Sequence, residues 1–163
     1  MVAISFFETP DTDPPFDPDA IVLEEDTSLV LTPDPTIRES SVSQFKALMD
    51  LYQLEEHEVG SVVLRNKVPL QLLAVVHNLD EEPSCSKQAV TLALAASLDL
   101  CEKRGLEQVA FQPLGCVHGK LDYSWFRRLL LAELAQREDQ GLTKVWLLSN
   151  AAGGGKRDSK KPI

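Results

Sequence analysis

The chain has 163 residues, 44% of them hydrophobic and 25% charged, with a formal net charge of −9. That length and balance describe one ordinary globular domain whose core can bury about 70% of the unfolded surface. No apolar run approaches the roughly 18–20 residues of a membrane span, and the negative excess disfavours nucleic-acid binding by the folded body.

The start, Met1-Val2-Ala3-Ile4-Ser5-Phe6-Phe7, has no basic segment before its apolar residues, so a signal peptide is not expected. Three cysteines, Cys85, Cys101 and Cys116, form an odd set without C-x-x-C spacing, which argues for a reducing, cytoplasmic setting over a disulfide framework. Charge is unevenly placed. Residues 1–26 hold eight acidic residues and no Lys or Arg, whereas 151–163 carry Lys156, Arg157, Lys160 and Lys161 against Asp158. The Gly-rich, basic stretch 151–163 reads as a flexible tail to a single domain over 1–150.

In chain order, 2–7 suits an edge strand, and the Pro- and Asp-rich stretch 9–18 suits an acidic loop. Ala20-Ile21-Val22-Leu23 is a short buried strand that Glu24-Glu25-Asp26 should interrupt. Ser28-Leu29-Val30-Leu31 then precedes the breakers Pro33 and Pro35. Residues 40–54 carry Val42, Phe45, Leu48, Met49 and Tyr52 at helical spacing. Strands are expected at 61–65 and 70–77, the second apolar enough to be buried on both faces. A helix capped by Ser84 or Ser86 runs to Arg104 and stops at Gly105. Residues 108–111 form a strand ending at Pro113. Asp122 caps a helix bearing Trp125, Phe126, Leu129, Leu130 and Leu134, and Gly141 precedes a last strand at 144–148. Alternating strands and helices with short loops imply right-handed crossovers. The expected fold is a three-layer α/β/α sandwich around a mixed, largely parallel sheet.

In such sheets, ligands bind beyond the carboxyl ends of the strands. Loop 113–121 lies there, and Gly115-Cys116-Val117-His118-Gly119 can offer backbone N–H groups to a phosphate, although glycines in a tight strand-to-helix turn are also simply structural. Cys116 and His118 share this loop, with His77 and Cys85 near in the expected topology. That set has residue types for thiol chemistry or zinc but no orienting third group and no compact metal spacing. Glu24, Glu25, Glu81 and Glu82 read as a solvated acidic rim, His57 as a solvated loop residue, and Cys101, Trp125 and Trp146 as core.

These segments together resemble a macro domain, the fold that commonly binds ADP-ribose. The resemblance rests on Asp19-Ala20-Ile21-Val22, on Leu73-Ala74-Val75-Val76-His77, on the Leu- and Ala-rich helix 92–101, and on Val109-Ala110-Phe111-Gln112-Pro113-Leu114-Gly115-Cys116-Val117-His118-Gly119. Val145-Trp146-Leu147-Leu148 completes it. It implies a phosphate-binding role for Gly115, Cys116, Val117, His118 and Gly119, and ligand contacts from Asp19, Ile21 and His77. Departures accompany it. Leu23-Glu24-Glu25-Asp26 stands where the family has an Asn-containing segment, Thr32-Pro33-Asp34-Pro35 replaces a Gly-rich turn, and Val117 and Cys116 take the places of a Gly and a Thr or Ser.

Two readings follow from the resemblance, a non-catalytic binding module for ADP-ribose or a related nucleotide, and a degenerate macro fold that serves as a protein-interaction or scaffold domain. Acidic groups at 24–26 disfavour a nearby diphosphate. A hydrolase comes last, because the sequence presents no base–nucleophile pair, and neither a cofactor, a metal nor a membrane is expected. Gly119→Val is the substitution expected to separate nucleotide binding from a protein surface elsewhere.

Overall fold

The structure, a computed structural model, describes residues 3–10, 15–31 and 57–149. The expected helix at 40–54, the breakers Pro33 and Pro35, and the tail 151–163 lie outside the described residues.

Six strands form one sheet: β1 (Ser5–Thr9), β2 (Ala20–Asp26), β3 (Val62–Arg65), β4 (Leu70–His77), β5 (Gln108–Phe111) and β6 (Lys144–Leu148). Their order is β1-β6-β5-β2-β4-β3, parallel throughout except for the antiparallel β3–β4 pair. Strand β4 is apolar almost end to end because, lying between β2 and β3 and covered on both faces, it is buried from Leu72 to His77.

Helix α1 (Lys87–Lys103) connects β4 to β5, and α2 (Tyr123–Ala135) connects β5 to β6. Both crossovers step in the same direction along the sheet, so right-handedness places both helices on one face. There Val90, Ala93, Leu94 and Leu98 of α1 and Phe126 and Leu130 of α2 close over Val22, Leu72, Ala74, Phe111 and Leu147. Alternate residues face the other way, where Ala110, Trp146 and Leu148 pack with Phe7, Phe16 and Ile21. Ser86 caps α1 by accepting from Ala89 N at 3.1 Å, and Asp122 caps α2 by accepting from Trp125 N at 3.0 Å. Arg137, beyond the end of α2, reaches Asp99 and Glu102 of α1 at 2.7 and 3.2 Å and ties the two helices together. Among the described residues no helix is long and apolar enough to cross a membrane.

One strand runs on where the sequence reading breaks it. β2 continues through Glu24, Glu25 and Asp26, each fully buried, and turns only at Thr27. Residues 28–31, read as a second apolar run, form a turn with Leu29 at φ 58°. Backbone hydrogen bonding makes this tolerable. Asp26 accepts from Ser28 N, Val30 N and Leu31 N at 2.6, 3.1 and 3.2 Å, and Glu25 accepts from Asp26 N and Leu31 N at 2.9 and 2.8 Å. A buried carboxylate is costly when bare and acceptable when several donors replace its water.

Candidate functional site

Glu24 projects from the carboxyl half of β2 toward loop 113–121, which follows β5. Its Oε1 accepts from Gly115 N at 2.7 Å and Val117 N at 3.1 Å, and its Oε2 accepts from His118 N at 2.9 Å and from His77 Nε2. The backbone groups that could cradle a phosphate are therefore turned onto a carboxylate of the chain itself. The glutamate backbone is fixed too, its N–H donating to Gln112 Oε1 at 2.8 Å. Burial alone raises the Glu24 pKa. The hydrogen bond and charge of His77, with the His118 and Val117 amides, outweigh that and hold it below the usual carboxylate range. Glu24 is thus the buried anion of this site. Glu24 and Glu25 are not solvated rim residues, whereas Glu81 and Glu82 are exposed as expected.

His77 ends β4 and is 1% exposed. With Nε2 on Glu24, its Nδ1 lies 2.8 Å from Ser84 Oγ, and its carbonyl accepts from Thr27 N at 3.0 Å. The sequence alone does not bring His77 and Ser84 together; the turn after β4 does.

Both loop glycines have backbone reasons to be glycine. Gly115 has φ 82°, and a Cβ there would come 2.6 Å from Leu121 Cδ1 and 3.0 Å from Val90 Cγ2. A Cβ on Gly119 would overlap the Gly115 carbonyl oxygen and stand 3.1 Å from His77 Cε1. Gly119→Val consequently displaces the loop and the imidazole, and does not isolate phosphate binding as the sequence reading expects.

The remaining site residues divide. Cys116 is buried, Val117 half-buried and His118 exposed. Burial pushes the Cys116 thiol up to about 12, with Glu24 and Asp122 adding to the rise, and burial, Glu24 and Cys116 do the same to Cys85. Neither thiol is activated as a nucleophile. Among the described residues no group of three His, Cys, Asp or Glu side chains is arranged to hold a metal ion. Asp19 and Ile21 are not brought to the loop. Asp19 sits at the amino end of β2, about 17 Å along an extended strand from Glu24. Its carboxylate accepts from Glu107 N and Gln108 N, both at 3.0 Å. Ile21 packs with Ala110 and Trp146 on the face away from the helices. His57 is half-buried and donates its backbone N–H to Thr27 O at 3.0 Å, so it belongs to the acidic turn and is not a freely solvated loop residue.

No protein-family model and no curated protein sequence matches the chain. Solved structures do. The macrodomain of Thermus aquaticus DarG superposes with a TM-score of 0.64 at 15% identity, over 87% of this chain and 96% of the other. A mutant of the Oceanobacillus iheyensis macrodomain gives 0.61 at 16%, over 94% and 89%. A second mutant of that macrodomain, described with ADPR, gives 0.58 at 19%, over 87% and 84%. The chain has a macro-domain-like fold.

Proposed function

We propose that this chain is a macro-fold domain that works through protein contacts and takes no nucleoside diphosphate on loop 115–119. The observation that supports this most is the Glu24 carboxylate against the Gly115, Val117 and His118 amides. A loop that cradles a bound diphosphate takes its anion from solution, whereas this chain carries one on β2. A phosphate entering beside Glu24 would meet a like charge. Two unit charges 4 Å apart repel by about 4 kcal/mol at an effective dielectric of 20, roughly a thousandfold in affinity. The three cysteines are free and buried, which supports a reducing, cytoplasmic location.

The second reading, a module for ADP-ribose or a related nucleotide, draws on structural neighbours described with ADPR or with ADP, the latter from Trypanosoma brucei at 18% identity. It requires Glu24 to leave the cradle. Calorimetric titration with ADP-ribose, with AMP and ribose-5-phosphate as controls, separates the two. Absence of heat up to millimolar ligand in folded protein supports the occupied cradle. Micromolar binding of ADP-ribose, without binding of the fragments, overturns it.

A further inference from the structure

Holding loop 115–119 needs only the carboxylate of Glu24. The hydrogen-bond chain, however, runs on from Glu24 through His77 to Ser84, with Nδ1 2.8 Å from Oγ. We propose that Ser84 is a nucleophile with His77 as its general base and Glu24 as the group that positions the base, acting on uncharged or cationic carboxylic esters.

Proton placement supports these roles. An ionised carboxylate only accepts, so His77 Nε2 carries the proton that faces Glu24. In the neutral imidazole, the form that can act as a base, Nδ1 then faces the Ser84 hydroxyl as an acceptor, whereas the imidazolium, whose charge lowers the Glu24 pKa, donates there and is inactive. A hydroxyl, a base and a buried acid that fixes the tautomer of the base are the parts of an activated serine. Here the acid takes Nε2 and the serine takes Nδ1. Exposure follows the same order. Glu24 is 0% and His77 1% exposed, whereas Ser84 is half-buried at the end of the exposed segment 80–83. The nucleophile is thus on the least buried residue of the three. Three residues on, α1 begins; Ala89 N is taken by the Ser86 cap, and helix geometry gives the Lys87 and Gln88 N–H groups no intrahelical acceptor, so these two are the donors a developing oxyanion could use.

Substrate charge follows from the surroundings. Exposed Asp80, Glu81 and Glu82 adjoin Ser84, and the whole chain is at −9, so anionic esters are repelled.

In the step itself, Ser84 Oγ bonds to the ester carbonyl carbon as its proton passes to His77 Nδ1. The carbon–alkoxide bond then breaks, and the leaving alcohol takes that proton. Water, deprotonated in turn by His77, releases the carboxylic acid and restores the serine. Positioned proton transfer of this kind contributes about 10²–10⁴-fold.

The test is labelling of the folded full chain with a fluorophosphonate, followed by peptide mapping and by hydrolysis of p-nitrophenyl acetate. The expected result is one adduct on Ser84, no adduct and at least tenfold less hydrolysis in Ser84→Ala, and slower turnover of an anionic ester such as a p-nitrophenyl succinate. Ser84→Ala also takes the partner from Nδ1 of buried His77, at about 1–3 kcal/mol, so it is compared at a temperature where both proteins are folded. A structural hydrogen-bond network gives a serine no special reactivity. Folded protein that stays unlabelled under conditions that label a serine hydrolase control overturns the proposal, as does labelling unchanged in Ser84→Ala. For Glu24, labelling of Glu24→Gln at a temperature where it is folded should fall at least tenfold. Undiminished labelling there overturns the positioning role. The readout is independent of nucleotide binding, so its failure and that of the interaction reading are distinct.

Discussion

Replacing Glu24 by Gln tests the central geometry with almost no change in shape. The carboxylate presents two oxygens, one to Gly115 N and Val117 N, the other to His118 N and His77 Nε2. An amide keeps one oxygen and must turn its NH2 toward a pair of donors. Facing His118 and His77 is the milder choice, since the imidazole can move its proton to Nδ1 and accept at Nε2. The His118 N–H is still left unmatched, at about 1–3 kcal/mol, and the retained bonds fall from charge-assisted to neutral strength, about 1 kcal/mol each. Relief from burying a charge offsets part of this. A net loss of about 2–4 kcal/mol remains, which for a domain of this size is a drop in Tm of about 5–15 °C. Thermal and urea denaturation followed by circular dichroism measure it. A Glu24→Gln protein that melts within about 1 °C of the unsubstituted chain would show that the loop amides are not held by this side chain, and the occupied cradle would have to be abandoned.

Further expectations share the same geometry. Because the folded-state pKa of Glu24 is lowered, its contribution to stability is fully present above the unfolded value of 4.5 and is lost as pH falls through the lower folded value. Urea midpoints should therefore decline from pH 5 to pH 3 less steeply in Glu24→Gln than in the unsubstituted chain, and parallel curves would contradict the assignment. Thiol titration with a disulfide reagent at pH 8 should find no fast-reacting cysteine in folded protein, since burial, with Glu24 next, pushes Cys85 and Cys116 up to about 12. All three should react once unfolded. One rapid stoichiometric thiol in the native state would be decisive against this. Gly119→Ala, whose Cβ overlaps the Gly115 carbonyl, should cost about 1–3 kcal/mol from overpacking. Gly105→Ala should cost about 1 kcal/mol from its φ of 69° alone, with no atom within 4 Å of the added carbon. Equal costs in a denaturation series would mean that loop 115–119 is slacker than the structure has it.

What is legible in the sequence are features set by local pattern. Apolar runs mark four strands, β3 to β6, to within a residue, Gly105 marks the end of α1, and Asp122 the start of α2, because period and caps depend on neighbours in the chain. The acidic continuation of β2 is not legible. Three consecutive acids read as a break when their donors are unseen, and the amides that donate to Glu24 lie 91, 93 and 94 residues away and His77 lies 53. Ser84 and His77 are only seven residues apart, but a strand end and a turn must fold back before they meet, and no periodicity records that. One signal is available, an acid run immediately after an apolar strand and opposite a Gly-x-x-x-Gly loop, which poses a carboxylate and free amides at one sheet end. Taken from sequence, it argues only against a ligand. The further step is to make the carboxylate the ligand.

With Glu24 as the internal acceptor, the loop glycines have a role that needs no phosphate. A loop shaped by a bound diphosphate depends on ligand contacts for its closed conformation. Here Glu24 supplies the charge from within, so the conformation is fixed in the free chain. The two glycines then answer to the backbone, Gly115 to its positive φ and to Leu121 and Val90, Gly119 to the Gly115 carbonyl and the edge of His77. Both would be required even if no anion ever entered. It follows that removing Glu24 and removing a glycine have different consequences. Glu24→Ala leaves the loop backbone unclashed but strips its amides of an acceptor, so inorganic phosphate should raise the Tm of that variant while leaving the unsubstituted chain unmoved. A ligand at 100 times its Kd stabilises by about 2.7 kcal/mol, a shift easily read in a thermal scan. If millimolar phosphate stabilises both proteins equally, the anion is binding elsewhere, and Glu24 is not what keeps phosphate out of the loop.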